Sequence, residues 1–91
     1  MSSIVFEGRT WDVFNDIQEK DKKLYKSICR IISELERGDP TKGPGKPEAL
    51  KYNLAVFWSR RLSLKDRIIY KFDADRIYIF AIGGHYNNFQ H

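Results

Sequence analysis

Three side chains in this sequence complement one another chemically: Glu48, directly after Pro47; Arg67, heading an apolar run; and His85, just beyond the last such run. A carboxylate can take the proton of a ribose 2′-hydroxyl, a guanidinium can stabilise the crowded, charged phosphorus centre, and an imidazolium can protonate the departing 5′-oxygen. Metal-free cleavage of RNA needs these three kinds of group. Taken singly each also has a plainer reading: Glu48 as a first-turn residue favoured by a helix dipole, Arg67 as a surface strand residue, His85 as a tail residue. Other chemistries find less support. The chain has two histidines, His85 and His91, and one cysteine, with no HExxH or CxxC spacing, so a zinc site is not expected. Gly43-Pro44-Gly45-Lys46 lacks the length and the Lys-Ser/Thr ending of a phosphate loop, and no serine, histidine and aspartate are ordered as around a nucleophile elbow. No cofactor is implied.

The elements that must position these groups can be read from periodicity. Residues 3–7 are β-branched and aromatic and predict a first strand. Thr10 is placed to cap a helix in which Trp11, Phe14, Ile17 and Gln18 follow at helical spacing, and Asp21 restarts the count. Leu24, Ile28, Ile31, Ile32 and Leu35 form one apolar stripe on a second helix. Gly38 is expected to stop that helix in the left-handed conformation, and Pro40 prevents its resumption. Residues 39–47 read as loop, with Pro47 opening a short helical turn through Lys51. Strands are expected at 56–62, 67–72 and 77–82, with a tight turn at 73–76. Alternation sets Phe57, Ser59 and Arg61 opposite Val56, Trp58, Arg60 and Leu62, and Arg67, Ile69 and Lys71 opposite Ile68, Tyr70 and Phe72. The fold class is α+β in the order β-α-α-β-β-β, a helix hairpin on one face of a small, mainly antiparallel sheet.

At 91 residues the chain is expected to form one domain, with residues 87–91 as a short C-terminal extension. No 18-residue apolar run and no signal-like N-terminus appear, so a cytoplasmic protein without membrane association is expected. Cys29, among isoleucines, is expected to be a small buried thiol. The net charge of +4 is unevenly placed: residues 1–39 hold seven Lys/Arg against eight acids, residues 40–91 nine against four. That field suits a polyanionic partner, as it would an ordinary solvated basic surface.

The run Gly43-Pro44-Gly45-Lys46-Pro47-Glu48-Ala49-Leu50-Lys51, followed by Asn53-Leu54, Phe57-Trp58-Ser59-Arg60-Arg61-Leu62, Arg67-Ile68-Ile69-Tyr70 and His85-Tyr86, closely resembles the YoeB/Txe toxins of the RelE/ParE superfamily. With Trp11 also matching, the likeness spans nearly the whole chain. It implies a RelE-like, microbial-ribonuclease-like fold and a ribosome-dependent endoribonuclease that cuts mRNA in the decoding site. Glu48 would be the general base, His85 the general acid, and Arg67 the group that holds the scissile phosphate. Lys46, Lys51, Arg60 and Arg61 fall on basic positions of the motif that contact RNA backbone, and Tyr86 on a terminal aromatic that stacks on or orients substrate. Implied partners are a neighbouring antitoxin of the YefM/Axe kind, the ribosome and mRNA, a second copy of the chain, and operator DNA only through the toxin–antitoxin complex. Three departures stand out. Asp66 replaces a frequent histidine and could pair with Arg67 or another cation. Gly83-Gly84 loosens the approach to His85. The chain also continues past Tyr86, where the family typically stops. Two other functions fit the superfamily: a ParE-like inhibitor of DNA gyrase, and a catalytically weakened relative that only binds antitoxin.

Overall fold

The short apolar segment at the N-terminus forms β1 (Ser3–Phe6), and two helices follow it, α1 (Thr10–Lys20) and α2 (Lys22–Arg37). The structure is a computed structural model that describes residues 2–50 and 57–84. Asp21 breaks the helical count as expected, its carboxylate accepting from the Leu24 amide at 3.1 Å to cap α2. Thr10 does not cap α1. Arg9 occupies the cap position, while Thr10 is buried as the first helical residue. Its hydroxyl donates to the Glu7 carbonyl at 2.8 Å, with the Ile79 carbonyl 3.3 Å away. Packing against the sheet, rather than helix capping, decides where that side chain goes. Gly38 likewise departs from the left-handed stop: it is extended, at φ −116° and ψ −163°. Its amide closes α2 by donating to Glu34, and the chain runs straight on into the 39–47 loop.

The remaining strands are β2 (Glu48–Ala49), β3 (Trp58–Arg61), β4 (Arg67–Phe72) and β5 (Arg76–Gly83). Their order across the sheet is β1-β5-β4-β3-β2, with β1 parallel to β5 and all other pairs antiparallel. The expected helical turn after Pro47 is therefore corrected at Glu48 and Ala49. These residues pair with Ser59 and Trp58, because the open edge of β3 offers backbone partners that an isolated turn lacks. The part of that turn at Lys51, and the start of the expected strand at Val56, lie outside the described residues. The turn at 73–76 forms as expected. The Asp73 amide donates to the Arg76 carbonyl, and the Asp73 carboxylate accepts from the amides of Asp75 and Arg76.

Alternation divides the sheet into two faces. Ile68 and Tyr70 on β4, with Ile77, Ile79 and Ile82 on β5, meet Ile28, Ile31 and Leu35 of α2 in one core. Strict period two cannot place Ile79 and Ile82 on the same side. A bulge resolves this: Ile69 pairs with Ala81 and Tyr70 with Ile79, so Phe80 is the extra residue. Phe6, Trp11, Phe14 and Tyr25 close one end of the core, with ring centroids 5.1–5.7 Å apart. Cys29 is half-buried rather than enclosed, because the stripe that faces the sheet runs through its neighbour Ile28. No helix among the described residues is long and apolar enough to cross a membrane.

Burial is worth about 1.5–3 kcal/mol for each such side chain, so core and rim should respond differently to truncation. Ile68→Ala, at 0% exposure, is expected to cost about 2–5 kcal/mol by denaturant unfolding. Leu64→Ala, at 99% exposure, should stay within about 0.5 kcal/mol; equal losses would contradict this two-sided layout. Asp39 and Asp73 predict the acid response. Thr41 hydrogen bonds, the hydroxyl's foremost, lower the pKa of Asp39, and the Asp75 amide leads those that lower Asp73. Both carboxylates bind protons less readily in the folded chain than in the unfolded one. Their contribution is therefore present above the ordinary carboxylate range and is lost as pH falls through their folded values. The melting temperature should drop as pH falls through and below the ordinary carboxylate range, and the double variant Asp39→Asn/Asp73→Asn should flatten that drop.

Candidate active site

The sheet face opposite the helices gathers the charged residues. Glu48 pairs with Ser59 across β2 and β3, and Arg61 pairs with Arg67 across β3 and β4. Directly paired residues share a face, and so do residues two apart on one strand. Glu48, Ser59, Arg61 and Arg67 therefore project together. The Glu48 Oε1 lies 3.8 Å from an Arg67 guanidinium nitrogen, and the same nitrogen donates to the Ser59 hydroxyl at 3.2 Å. Two of the three side chains expected to do chemistry, 19 positions apart, thus meet.

The Glu48–Arg67 pair holds little folding energy. Glu48 is 66% exposed and Arg67 32%, and an ion pair so open to water contributes about 0–1 kcal/mol. Arg61 faces Arg67 directly, an arrangement of like charges that weakens a strand pair unless an anion lies between them. One carboxylate at 3.8 Å compensates one of the two cations. The face consequently presents an exposed carboxylate beside a surplus of positive charge, which suits a phosphodiester. Phe57 and Phe80 stack edge-to-face on the same side, with the Lys71 ammonium over the Tyr78 and Phe80 rings.

The approach to Glu48 is set by local backbone chemistry. Lys46, exposed, is the non-glycine residue with positive φ among the described residues, at 50°. The following proline disfavours the right-handed helical region at that position. Gly45 has φ +86°, and a Cβ there would lie 2.8 Å from the Arg61 carbonyl. Only glycine lets the loop come so near, and its carbonyl accepts from the Arg61 amide. Gly83, the register partner of Arg67, ends β5 at φ +116°. A glycine there meets a backbone requirement as well as removing a side chain. The strand that leads toward His85 therefore ends opposite Arg67. His85, Tyr86 and Lys51 themselves lie outside the described residues.

Two expectations are corrected here. Arg60 is not a surface cation: it is 0% exposed and lies on the core side with Trp58. Its guanidinium donates to the carbonyls of Asp39, Pro40, Lys42 and Pro44, and its Nε to the Tyr70 hydroxyl. With its donors so engaged it has no surface from which to reach RNA backbone. Asp66 does not pair with Arg67. It is buried in the β3–β4 turn, where its carboxylate accepts from the Ser63 hydroxyl at 2.8 Å. Ser59, which orients Arg67, is the residue the sequence reading passed over. Its place two residues before Arg61 on one strand was the available signal.

Known proteins resemble this chain over most of its length. Residues 6–86 match the family described as YoeB-like toxin of bacterial type II toxin–antitoxin system. A YoeB toxin of Escherichia coli is 40% identical over 83 residues, covering 91% of this chain and 98% of the relative. Toxin RelK of Mycobacterium tuberculosis is 35% identical over 86 residues, covering 94% of this chain and all of the relative. Among solved structures, a YoeB–YefM complex from Staphylococcus aureus matches with a TM-score of 0.84 and 31% identity, over 94% of this chain and 99% of that one. A RelE-like α+β fold, with two helices on a five-stranded mixed sheet, is common to this chain and that neighbour. The chain belongs to the YoeB family of toxins of bacterial type II toxin–antitoxin systems.

Proposed function

We propose that this toxin is a ribosome-dependent endoribonuclease that cleaves mRNA without a metal, with Glu48 as base, Arg67 as phosphate ligand and His85 as acid. The observation that carries the proposal is the 3.8 Å approach of Glu48 to Arg67 on a basic, solvent-facing surface. Glu48 removes the proton of the 2′-hydroxyl, and the 2′-oxygen attacks the adjacent phosphorus. Arg67, held by Ser59, stabilises the charge that accumulates on the phosphoryl oxygens. The bond to the 5′-oxygen breaks as His85 protonates it, leaving a 2′,3′-cyclic phosphate and a free 5′-hydroxyl. Arg61, Lys46 and Lys51 hold flanking phosphates, and Tyr86 stacks on or orients a base. Three groups give limited orientation by themselves, and the ribosome supplies the rest by holding the mRNA in a reactive geometry.

The relatives support an antitoxin and a second copy of the chain as partners. The Staphylococcus aureus YoeB is described in complex with YefM and as a dimer. For this chain we assign a YefM/Axe-like antitoxin, a second copy of the chain, the ribosome and mRNA, with operator DNA reached only through the toxin–antitoxin complex. Substrate and ribosome place its action in the cytoplasm. The chain acts as one domain, residues 1–91, with 87–91 as an extension.

Purified toxin mixed with programmed ribosomes should yield mRNA fragments with 5′-hydroxyl ends. Glu48→Gln and His85→Gln should each lower the single-turnover rate about a hundredfold to ten-thousandfold, with unchanged melting temperature. Full activity in either variant would remove that residue from its role. Comparable cleavage of naked RNA would overturn the dependence on ribosomes. Inhibition of gyrase supercoiling without any RNA cleavage would instead establish the ParE-like reading.

A further inference from the structure

We propose that Arg60 is a positioning residue for Glu48, acting from the core side of the sheet through the loop that delivers the carboxylate. This rests on Glu48 serving as the base. β2 has two residues in register with β3, and a ladder that short has little hold of its own. Where Glu48 sits is therefore governed by the segment before it. That segment, residues 38–47, has no helix or strand to satisfy its carbonyls. Arg60 supplies the donors: 2.6 Å to Lys42, 3.1 Å to Pro44, 3.2 Å to Pro40 and 3.3 Å to Asp39. Tyr70 completes the clamp, accepting from the Arg60 Nε at 3.1 Å and donating to the Pro40 carbonyl at 2.6 Å.

Two features tie the clamp to the site as well as to stability. Arg60 follows Ser59 on β3, and Ser59 both pairs with Glu48 and accepts from Arg67. One peptide unit thus joins the guanidinium below the sheet to the reacting groups above it. The loop is also pinned from its far end, where the Arg61 amide donates to Gly45 at 2.6 Å, three residues before Glu48. Among the described residues no carboxylate comes within ion-pair distance of Arg60. Loop carbonyls and the Tyr70 hydroxyl, all neutral dipoles, solvate this buried cation, so loop and guanidinium must form together. Lysine keeps the charge but cannot span four carbonyls and a hydroxyl, because it lacks the planar fork.

The test compares wild type, Arg60→Lys, Tyr70→Phe and Glu48→Gln, with each of the first two changes also combined with Glu48→Gln, on programmed ribosomes well below the melting temperature. Arg60→Lys is expected to lower kcat about tenfold to a hundredfold with KM within twofold, and Tyr70→Phe to lower it severalfold. In the Glu48→Gln background neither change should reduce kcat further. Amide exchange at residues 44–49 should quicken in Arg60→Lys while β4 and β5 stay protected. If Arg60→Lys does not fold, Tyr70→Phe carries the comparison, since it removes a single oxygen. Unchanged kcat per folded molecule, an equal loss in the Glu48→Gln background, or unchanged exchange at 44–49 would overturn the positioning role and leave the nuclease reading intact. A wild type that cleaves nothing, with the exchange result as expected, would instead overturn the nuclease reading, and with it a catalytic purpose for the clamp.

Discussion

A sheet covered by helices on one side only must sort every strand residue into core or solvent, and β3, β4 and β5 do this in a shared register. The sorting holds over β5 only because Phe80 is bulged out of the ladder, which lets Ile79 and Ile82 both reach the core. A one-residue slip would turn Ile68, Ile77 and Ile79 to water and bring Arg67 against the helices. The burial of those isoleucines therefore fixes where Arg67 and Arg61 project. Site geometry is thus secured by residues that never touch the site.

The open face uses this security in a way that costs some stability. Arg61 lies directly opposite Arg67, and the nearby carboxylate is mostly exposed. Neither contact offers much folding energy, and the paired arginines subtract some. A surface selected for stability alone would alternate the charges. This one keeps an unmet demand for anions, which a polyanion can satisfy on binding.

Much of this was legible in the sequence because it depends on local period. The α2 stripe, the strands, the 73–76 turn and the grouping of Arg67 with Ile69 and Lys71 all follow from spacing. What was not legible depends on a distant partner. Pro47-Glu48 suits the start of a helix, and only the vacant edge of β3 makes it a strand. Thr10 has the chemistry of a cap but is drawn to the carbonyls of Glu7 and Ile79. Asp66 could face any of several cations, and Ser63, three residues away, claims it first. The approach of Glu48 to Arg67 was an inference from likeness to a family, since no periodicity relates them.

Arg60 is the instructive misreading, because alternation had already set it beside Trp58 and Leu62. Its charge suggested RNA, while its position on the strand pointed to the core. Arginine can satisfy both demands only if enough acceptors follow it inward, and the carbonyls of a loop rich in proline and glycine are such acceptors. Adjacent arginines on a strand are thus two different devices. Arg61 is turned out by the pleat and remains available to an anion, while Arg60, turned in, is solvated by the backbone carbonyls of residues 39–44 and by the Tyr70 hydroxyl. Proline cannot donate to a ladder and Gly45 has no side chain to pack, so this loop could hardly hold its shape by its own contacts. The cation beneath it supplies what its composition lacks.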